Sequence, residues 1–271
     1  ADAAHLYAGQ TYDFFLNTHA RDSIDGAGMN LISTVNWTEV GGCPNAFWDG
    51  DEMTYCTGLA VDDVVAHELT HGVTENTSGL FYYYQSGAIN ESLSDAWGEF
   101  VDLTNGSGTD NATTRWQMGE DIDPALFGGP IRDMQDPTVY GDPDRMTSAN
   151  YYTGTADQGG VHSNSGVNNK AVYLMVDGDT FNGHTITGLG ITKVAKIYYE
   201  AQTNLITSGS DYLDLYNALN QACANLTGTS GITAADCTQV LGALDAVEMN
   251  LQPVAGYNPE ATLCPTGQAP P

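Results

Sequence analysis

Basic residues are scarce in this sequence, whose 271 residues include 7 lysines and arginines against 34 aspartates and glutamates. The formal net charge of -27 at pH 7 excludes a protein that binds nucleic acid or an anionic membrane through a basic surface. We favour a heavily solvated acidic surface, suited to saline surroundings or to holding cations, over an acidic recognition patch.

Long apolar runs are also missing. No stretch approaches the length of a membrane span, and the opening residues ADAAHLYAG have the pattern of neither a signal peptide nor a transit peptide. We therefore expect a mature, processed protein. A hydrophobic content of 41% is sufficient for a core.

Cysteine is limited to five residues. Cys43 and Cys56 flank a short aromatic segment, Cys223 and Cys237 flank ANLTGTSGITAAD, and each pair could close a small loop. No CxxC or Cys/His zinc spacing competes with this interpretation. Cys264 is left over in a Pro-containing tail, and we expect its partner in chain beyond this sequence. Together with only three lysines, these pairs predict a secreted, extracellular protein.

Periodicity predicts helices and a few strands. HLYAGQTYDFFLNTHARD is helical, LISTVNW is strand-like, and two helices are predicted over 62–75 and 89–103. Residues 105–160 are rich in Gly, Pro and Asp and predict loops, which often hold ions or carry function. Four helical patterns follow from residue 165, with Thr192 and Thr233 as N-caps of two of them.

These patterns predict an α+β fold in three parts. Residues 1–76 form a mixed lobe with a reduced β-sheet that ends in the helix containing the histidines. Residues 77–252 form a mainly helical lobe, and residues 253–271 a Pro-containing tail or linker. No period is long enough for a repeat array.

The stretch VVAHELTHGVTEN places two histidines around a glutamate. Residues four apart share one helix face, so His67 and His71 can direct two imidazoles at one ion. Glu68 lies beside that face, where it can contact a water on the metal without being a ligand. An HExxH motif by itself is weak, because helices tolerate buried histidines. Whether this motif is a metal site therefore depends on finding a third ligand.

Two arrangements of the third ligand can be distinguished. One requires a glycine three residues after His71 and a histidine three residues beyond that, but the chain has Thr74 and Thr77 there. The other takes a glutamate from a following helix, and INESLSDAWGE offers Glu91. Asp95, four residues later, can accept a hydrogen bond from a ligand histidine and fix its tautomer. Glu91 and the two histidines are therefore predicted to bind catalytic zinc.

Besides HELTH, five further segments carry a resemblance to a known family: NAFWDG, SGAINESLSD, WQMGED, IRDMQDP and GGVHSNSGVNNKAVY. With them the chain resembles the thermolysin family of secreted neutral zinc metallopeptidases, and the segments occur in the family's order. The likeness covers nearly all of the chain to about residue 250. It implies a thermolysin-like zincin fold and an endopeptidase.

The resemblance also implies a mechanism. Zinc would lower the pKa of a water ligand to about 7, and Glu68 would take the proton and pass it to the leaving amine. His162 would donate to the negative oxygen of the tetrahedral intermediate, with Tyr82 beside it and Asp157 orienting its ring. Tyr82 is favoured over the two following tyrosines by its separation from the zinc motif.

Substrate-binding residues are implied in the same way. Arg132 would bind a substrate carbonyl just beyond the cut bond, although a structural salt bridge is the alternative. Asn45 and the backbone of Ala46 would align the peptide as an added strand. Ile131, Val64 and Leu59 would line an apolar pocket. This predicts cleavage before a bulky hydrophobic residue, but residues 55–63 are a shorter segment than in thermolysin.

A calcium site is implied as well, with hard oxygen ligands. Its predicted ligands are Asp63, Glu99, Asp102, Glu120 and the backbone carbonyl of Gln117. The family's two-ion form has more acidic residues where this chain has Arg115 and Gln117, so one ion is predicted. The alternative is a set of acidic residues on solvated helix faces.

The first residues match a point well inside the family's amino-terminal lobe. The protein is then either a compact member or one whose preceding segment was removed. We expect protein or peptide substrates, a propeptide in the precursor, and a monomer.

Two other functions were weighed. A catalytically silent binding module has no need of the general base Glu68, and an aminopeptidase of the same wider clan would show a different spacing to the third ligand.

Overall fold

The computed structural model describes residues 1–254 and has the predicted α+β architecture. Its helices are α1 (Asp2–His19), α2 (Asp62–Glu75), α3 (Tyr84–Asn105), α4 (Pro124–Phe127), α5 (Asp157–Asn164), α6 (Gly166–Asp177), α7 (Ile191–Asn204), α8 (Tyr212–Leu226) and α9 (Ala234–Ala246). Its strands are β1 (Ser33–Trp37), β2 (Ala46–Trp48), β3 (Met53–Cys56), β4 (Gln117–Met118), β5 (Arg132–Asp133), β6 (Gly178–Phe181) and β7 (His184–Thr187). Cys264 and most of the predicted tail lie outside the described residues. Within residues 1–254 no helix is long and apolar enough to cross a membrane.

The first lobe contains a three-stranded sheet in the order β1-β3-β2. β1 is parallel to β3, β2 is antiparallel to it, and Ala46 lies opposite Tyr55. All four residues of β3 are buried. A disulfide between Cys43 and Cys56 joins the loop before β2 to β3. β2 is therefore a fixed edge strand.

Helices α2 and α3 form the centre of the molecule. Of the 14 residues of α2, 12 are buried, and 17 of the 22 residues of α3 are buried. At Gly98 an added Cβ would lie 3.0 Å from the carbonyl oxygen of Asp63, so a side chain there would separate the helices. The two helices are enclosed by protein on nearly all sides, which allows polar groups on their facing sides to be shielded from water.

An aromatic cluster packs α1 against this central pair. Trp97 lies at its centre, with Phe15 at a ring separation of 5.1 Å and His19 at 5.2 Å. The ring of His19 also stacks on Tyr199 at 4.1 Å with an interplanar angle of 17°. Both ring nitrogens of His19 are buried and have no hydrogen-bond partner.

The predicted loop-rich middle contains only short elements. Here β4 pairs with β5, so that Met118 lies opposite Arg132. This pairing holds β5 beside α3 and carries Arg132 towards the central helices. Helix α4 and a short 3-10 helix at Pro137–Tyr140 complete the segment.

Helices α6 to α9 and the β6-β7 hairpin form the remainder of the core, and a disulfide joins Cys223 of α8 to Cys237 of α9. Helix α9 begins where predicted, since the side chain of Thr233 accepts a hydrogen bond from the backbone of Asp236. The predicted N-cap at Thr192 is wrong. The N-cap of α7 is Gly190, whose φ of 77° favours glycine, and Thr192 lies in the first turn. Helix α3 also begins five residues earlier than predicted.

Candidate metal centre and active site

Three predicted ligands meet between α2 and α3. His67 and His71 occupy one face of α2, and their Nε2 atoms are 3.0 Å apart. Glu91 of α3 faces both rings, with Oε2 at 3.5 Å from Nε2 of His67 and Oε1 at 3.4 Å from Nε2 of His71. Each of the three residues offers one ligand atom to a common point.

These three residues fit a zinc ion. Zinc at its usual bond lengths to imidazole nitrogen and carboxylate oxygen, in a tetrahedron, separates its ligand atoms by about 3.3 Å, which matches the observed separations. The side chain of Glu91 is fully buried, and its Oε2 has no hydrogen-bond partner. A buried carboxylate oxygen without a partner is costly unless a cation satisfies it. Two nitrogens and one carboxylate oxygen are a common donor set for catalytic zinc.

Both histidine rings are oriented through their other nitrogen. Nδ1 of His67 lies 2.8 Å from Oδ1 of Asp95, the residue predicted for this role. Nδ1 of His71 lies 2.8 Å from Oδ1 of Asn90 and 3.2 Å from Oγ of Ser94. With Nδ1 facing an acceptor, each ring presents Nε2 to the metal. The sequence analysis did not identify Asn90, although a polar residue directly before Glu91 in a buried helix was a usable signal.

Glu68 lies next to the three ligands and lines the same cleft. Its residue surface is only 7% exposed. Burial raises the pKa of Glu68 to about 7, against an opposing effect of His71. A carboxylate with a pKa near neutrality can both take up and release a proton near pH 7.

His162, Tyr82 and Asp157 lie together on the opposite side of the cleft. Nδ1 of His162 is 2.7 Å from Oδ1 of Asp157, and its Nε2 is 3.1 Å from the hydroxyl of Tyr82. The Tyr82 hydroxyl also donates to Oε1 of Glu91. Partial burial lowers the pKa of His162, but Glu91 and Asp157 outweigh it and raise the pKa overall. The ring therefore has a stable donor orientation towards the cleft.

A sharp turn at the start of α5 brings Asp157 back to His162. Residues 157–160 all have positive φ, and an added Cβ at Gly160 would lie 2.6 Å from the ring of Tyr152. The second oxygen of Asp157 accepts a hydrogen bond from the backbone nitrogen of His162 at 3.0 Å. The turn thus fixes both the ring and the backbone of His162.

Arg132 is engaged with Asp95. Its Nε donates to Oδ2 at 2.8 Å and its Nη2 to Oδ1 at 2.6 Å. Its Nη1 group makes no hydrogen bond within residues 1–254. Arg132 lines the smaller of two cavities at the candidate metal centre. The structural salt bridge and a contact with substrate are therefore compatible roles.

The larger cavity is a cleft of about 560 Å³. β2 lies along it, and Asn45 and Ala46 line it together with the three ligands, Glu68, Tyr82 and His162. Because β2 pairs only with β3 in the described sheet, its outer edge has backbone groups that an extended peptide can pair with.

The smaller cavity, about 250 Å³, opens beside Glu68 and Arg132. The three predicted pocket residues, Leu59, Val64 and Ile131, all line it. Three further large apolar side chains of the lining carried no signal in the sequence: Met118, Ile122 and Phe127. The polar residues of the lining are Asn45, His67, Glu68, Arg132 and His162.

The predicted calcium ligands form an acidic cluster at the other end of α2 and α3. Carboxylate oxygens of Asp102, Glu120 and Asp110 lie within 4.8 Å of one another. Asp110 was not predicted. Unpartnered buried oxygens occur on Glu99, Asp102 and Glu120, and a hard divalent cation would satisfy them.

Two predicted calcium ligands are oriented by hydrogen bonds. Asp63 accepts from the backbone nitrogens of Gly119 and Val64, so its carboxylate is held near the loop of β4. The Nε2 group of Gln117 donates to Oδ2 of Asp133 at 3.2 Å, and the predicted ligand of this residue is its backbone carbonyl.

Electrostatics in this cluster are unfavourable without a cation. Burial, together with neighbouring carboxylates, raises the pKa of Asp63 to about 6 and that of Glu120 to about 9. Arg115 does not relieve this charge, because its guanidinium pairs with Asp177 through Nε and Nη2, each at 2.8 Å.

Two sequence-family models match the chain. The model described as the thermolysin metallopeptidase catalytic domain matches residues 1–75. The one described as the thermolysin metallopeptidase alpha-helical domain matches residues 78–249.

Individual relatives of the chain are metalloproteinases of the same kind. The chain is 52% identical over 215 residues to a zinc metalloproteinase of Renibacterium salmoninarum, covering 76% of this chain and 38% of that protein. It is 42% identical over 250 residues to bacillolysin of Bacillus cereus, covering 89% and 43%. It is 42% identical over 253 residues to thermolysin of Alicyclobacillus acidocaldarius, covering 90% and 44%. The chain thus spans less than half the length of these relatives.

A solved structure shares the fold. The precursor of protealysin, a metalloproteinase from Serratia proteamaculans, superimposes with a TM-score of 0.74 at 28% identity, covering 92% of this chain and 78% of that one.

Proposed function

Because the chain belongs to the thermolysin metallopeptidase family, we propose that it is a zinc-dependent endopeptidase. The observation that carries this proposal is the convergence of His67, His71 and Glu91 on one point in the cleft that also contains Glu68. A binding protein gains nothing from a buried carboxylate placed next to a metal centre.

The chemistry divides between metal and protein. Bound zinc would act as a Lewis acid that makes water nucleophilic at neutral pH. Glu68 accepts the proton of the attacking water and delivers it to the nitrogen of the leaving amine. His162 donates a hydrogen bond to the oxygen on which negative charge develops, and Asp157 holds the His162 ring in place. Tyr82 donates to the same oxygen once its hydroxyl hydrogen turns away from Glu91.

The peptide is held in an extended conformation across the cleft. The free edge of β2 at Ala46 pairs with its backbone, with the Asn45 side chain beside it. Arg132, through the Nη1 group not used by Asp95, binds the carbonyl just beyond the cut bond. The side chain of the following residue enters the apolar cavity, so cleavage occurs before a bulky hydrophobic residue.

Calcium is the second ion of the proposal. We infer one ion in the acidic cluster, bound by Asp63, Glu99, Asp102, Glu120 and the backbone of Gln117, with Asp110 as a further ligand. Its role is structural, because the cluster joins both central helices to the loop of β4.

The protein is proposed to be secreted, to act as a monomer and to be made with a propeptide. Two disulfides support an oxidising location, and the similar solved structure is that of the precursor of protealysin.

The test is hydrolysis of an internally quenched peptide with Gly-Leu at its centre. Activity should disappear when a chelator removes zinc and return when zinc is restored in calcium buffer, with cleavage before leucine. Glu68→Ala should bind zinc normally and be inactive. Full activity of that variant would eliminate the general-base role, and a folded, zinc-loaded chain without activity on any peptide would eliminate the endopeptidase.

A further inference from the structure

Helix α4 is a short element that presents two large apolar side chains side by side. It begins after Asp123, whose side chain accepts a hydrogen bond from the backbone of Ala125 at 2.9 Å, and it ends at Gly128. Leu126 is 38% exposed and Phe127 is 43% exposed. A four-residue helix with both side chains in water would have no stabilising contact, so the neighbours of each side chain matter.

The two side chains have different neighbours. Cδ1 of Leu126 lies 3.1 Å from the position that a Cβ on Gly58 would take, so Leu126 rests on the turn between β3 and α2. Phe127 lines the 250 Å³ cavity, whereas Leu126 does not. Helix α4 therefore packs against the turn between β3 and α2 through Leu126 and covers the cavity with Phe127.

Four of the other apolar lining residues belong to the core. Leu59, Val64, Met118 and Ile122 are at most 6% exposed, and close packing fixes their positions. Ile131 and Ala46 are partly buried, and the smaller Pro44 is exposed. Among the large apolar side chains of the lining, Phe127 keeps the largest free surface, so a side chain entering the cavity would cover more of Phe127 than of the four core residues. The same cavity is also lined by Glu68, Arg132 and His162, and by the predicted zinc ligand His67, so it adjoins the proposed catalytic groups.

We propose that Phe127 is a specificity-determining residue, which closes the apolar cavity and limits the size of the side chain accepted just after the cut bond. This inference rests on the proposed endopeptidase function. It assigns the outer wall to α4 instead of the short segment 55–63, which reaches the cavity only through Leu59.

The experiment compares blocked peptides Ala-Gly-Xaa-Ala with Xaa as valine, leucine, phenylalanine or tryptophan. Phe127→Ala should lower kcat/KM for valine about tenfold, because a small side chain loses its outer contact, while tryptophan is retained or improved. Phe127→Trp should narrow the cavity and shift the valine-to-tryptophan ratio about tenfold in the opposite direction. Leu126→Ala is the matched control and should leave that ratio within twofold of the wild type.

Two outcomes overturn the inference. An unchanged ratio in both Phe127 variants would show that the ring does not limit the cavity. An equal shift of the valine-to-tryptophan ratio in Leu126→Ala would show that the position of α4 as a whole, and not the Phe127 ring, sets the preference. Calorimetric binding of the same peptides to a Glu68→Gln background, loaded with zinc, measures the ratio without hydrolysis. If the Phe127 variants shift the binding ratio but the wild type cleaves no peptide, the Phe127 inference is supported and the endopeptidase is rejected. If the wild type cleaves peptides but the Phe127 variants leave the ratio unchanged, the reverse holds.

Discussion

Arg132 and Asp95 form a bidentate ion pair in which the carboxylate is completely buried. The same carboxylate accepts from Nδ1 of His67 at 2.8 Å and from Nδ2 of Asn169 at 2.7 Å. Burial would raise the pKa of Asp95, but Arg132 and His67 hold it well below its usual range. The orientation of His67, a proposed zinc ligand, and the position of Arg132, the proposed substrate-binding arginine, thus depend on one group.

Replacing this carboxylate should affect metal binding and stability together. Asp95→Asn is expected to weaken zinc binding by about 10- to 100-fold, because His67 loses its orienting partner. It should also lower the free energy of unfolding by about 3–5 kcal/mol, because Arg132 remains as a buried, unpaired charge. Competition with a chromophoric chelator and urea unfolding of the zinc-free protein measure the two effects.

The matched control is Asp177→Asn, which breaks the partly exposed pair with Arg115. Zinc affinity should stay at the wild-type value, and the loss of stability should be about 1 kcal/mol or less. If Asp95→Asn binds zinc with wild-type affinity, Asp95 does not contribute to zinc binding by orienting His67.

His162 is expected to act on the transition state and not on the metal. His162→Ala should reduce kcat by about 10²- to 10³-fold, with a small change in KM and wild-type zinc content. Tyr82→Phe should give a smaller reduction. Steady-state kinetics with metal analysis checks this, and a loss of zinc from His162→Ala would show that the ring acts as a ligand.

His19 should make the protein sensitive to acid. Burial, with a smaller contribution from Lys196, lowers the pKa of His19 to about 3 from an ordinary value of 6.5. Between these values the unfolded chain binds a proton that the folded protein does not, so stability falls as the pH is lowered. The difference is about 1.4 kcal/mol per pH unit within this window, and it is absent above pH 6.5.

Denaturant unfolding of the wild type and of His19→Phe at pH 7, 6 and 5 measures the effect. The wild type should lose stability relative to the variant below pH 6.5, whereas His5→Phe, at an exposed position of α1, should follow the wild type. Parallel pH curves for wild type and His19→Phe would contradict the prediction.

A calcium titration tests whether the acidic cluster binds calcium and whether Asp110, which sequence patterns did not indicate, is one of its ligands. Calcium at about 100 times its Kd should stabilise the protein by about 2.7 kcal/mol, because it neutralises carboxylates without partners. Asp110→Asn should raise the calcium concentration needed for half of this effect about tenfold. Thermal unfolding across a calcium titration measures it, with Asp13→Asn, exposed on α1, as the control. A calcium response that is identical in Asp110→Asn and wild type would exclude Asp110 as a ligand.

Residues whose roles depend on local spacing could be predicted from the sequence. The separation of His67 and His71 places both on one helix face regardless of the rest of the fold, and Glu91 and Asp95 are related in the same way. The existence of the helices could also be predicted from periodicity. The predicted cap of α7 is wrong because Gly190 supplies a backbone conformation that Thr192 cannot, and the predicted start of α3 is five residues too late.

Residues that reach the site through tertiary packing carried no such signal. Asp110 lies in the loop GSGTDNATT, where no periodicity indicates a direction for its side chain. Phe127 covers a cavity formed mainly by other elements, and its sequence neighbours contain no pocket motif. His19 reads as a polar residue at a helix end, and only the structure shows its ring stacked on Tyr199.

The central helices hold the proposed zinc ligands at one end and the acidic cluster at the other. Asp63 precedes His67 by one helical turn, and Glu99 follows Glu91 by about two. Under the proposed function, zinc and calcium would each restrain the same pair of helices against separation, so that binding of one ion would lower the conformational cost of binding the other. By thermodynamic reciprocity, the factor by which calcium tightens zinc binding equals the factor by which zinc tightens calcium binding. Depletion of calcium in the surroundings would therefore also weaken the hold on the catalytic metal.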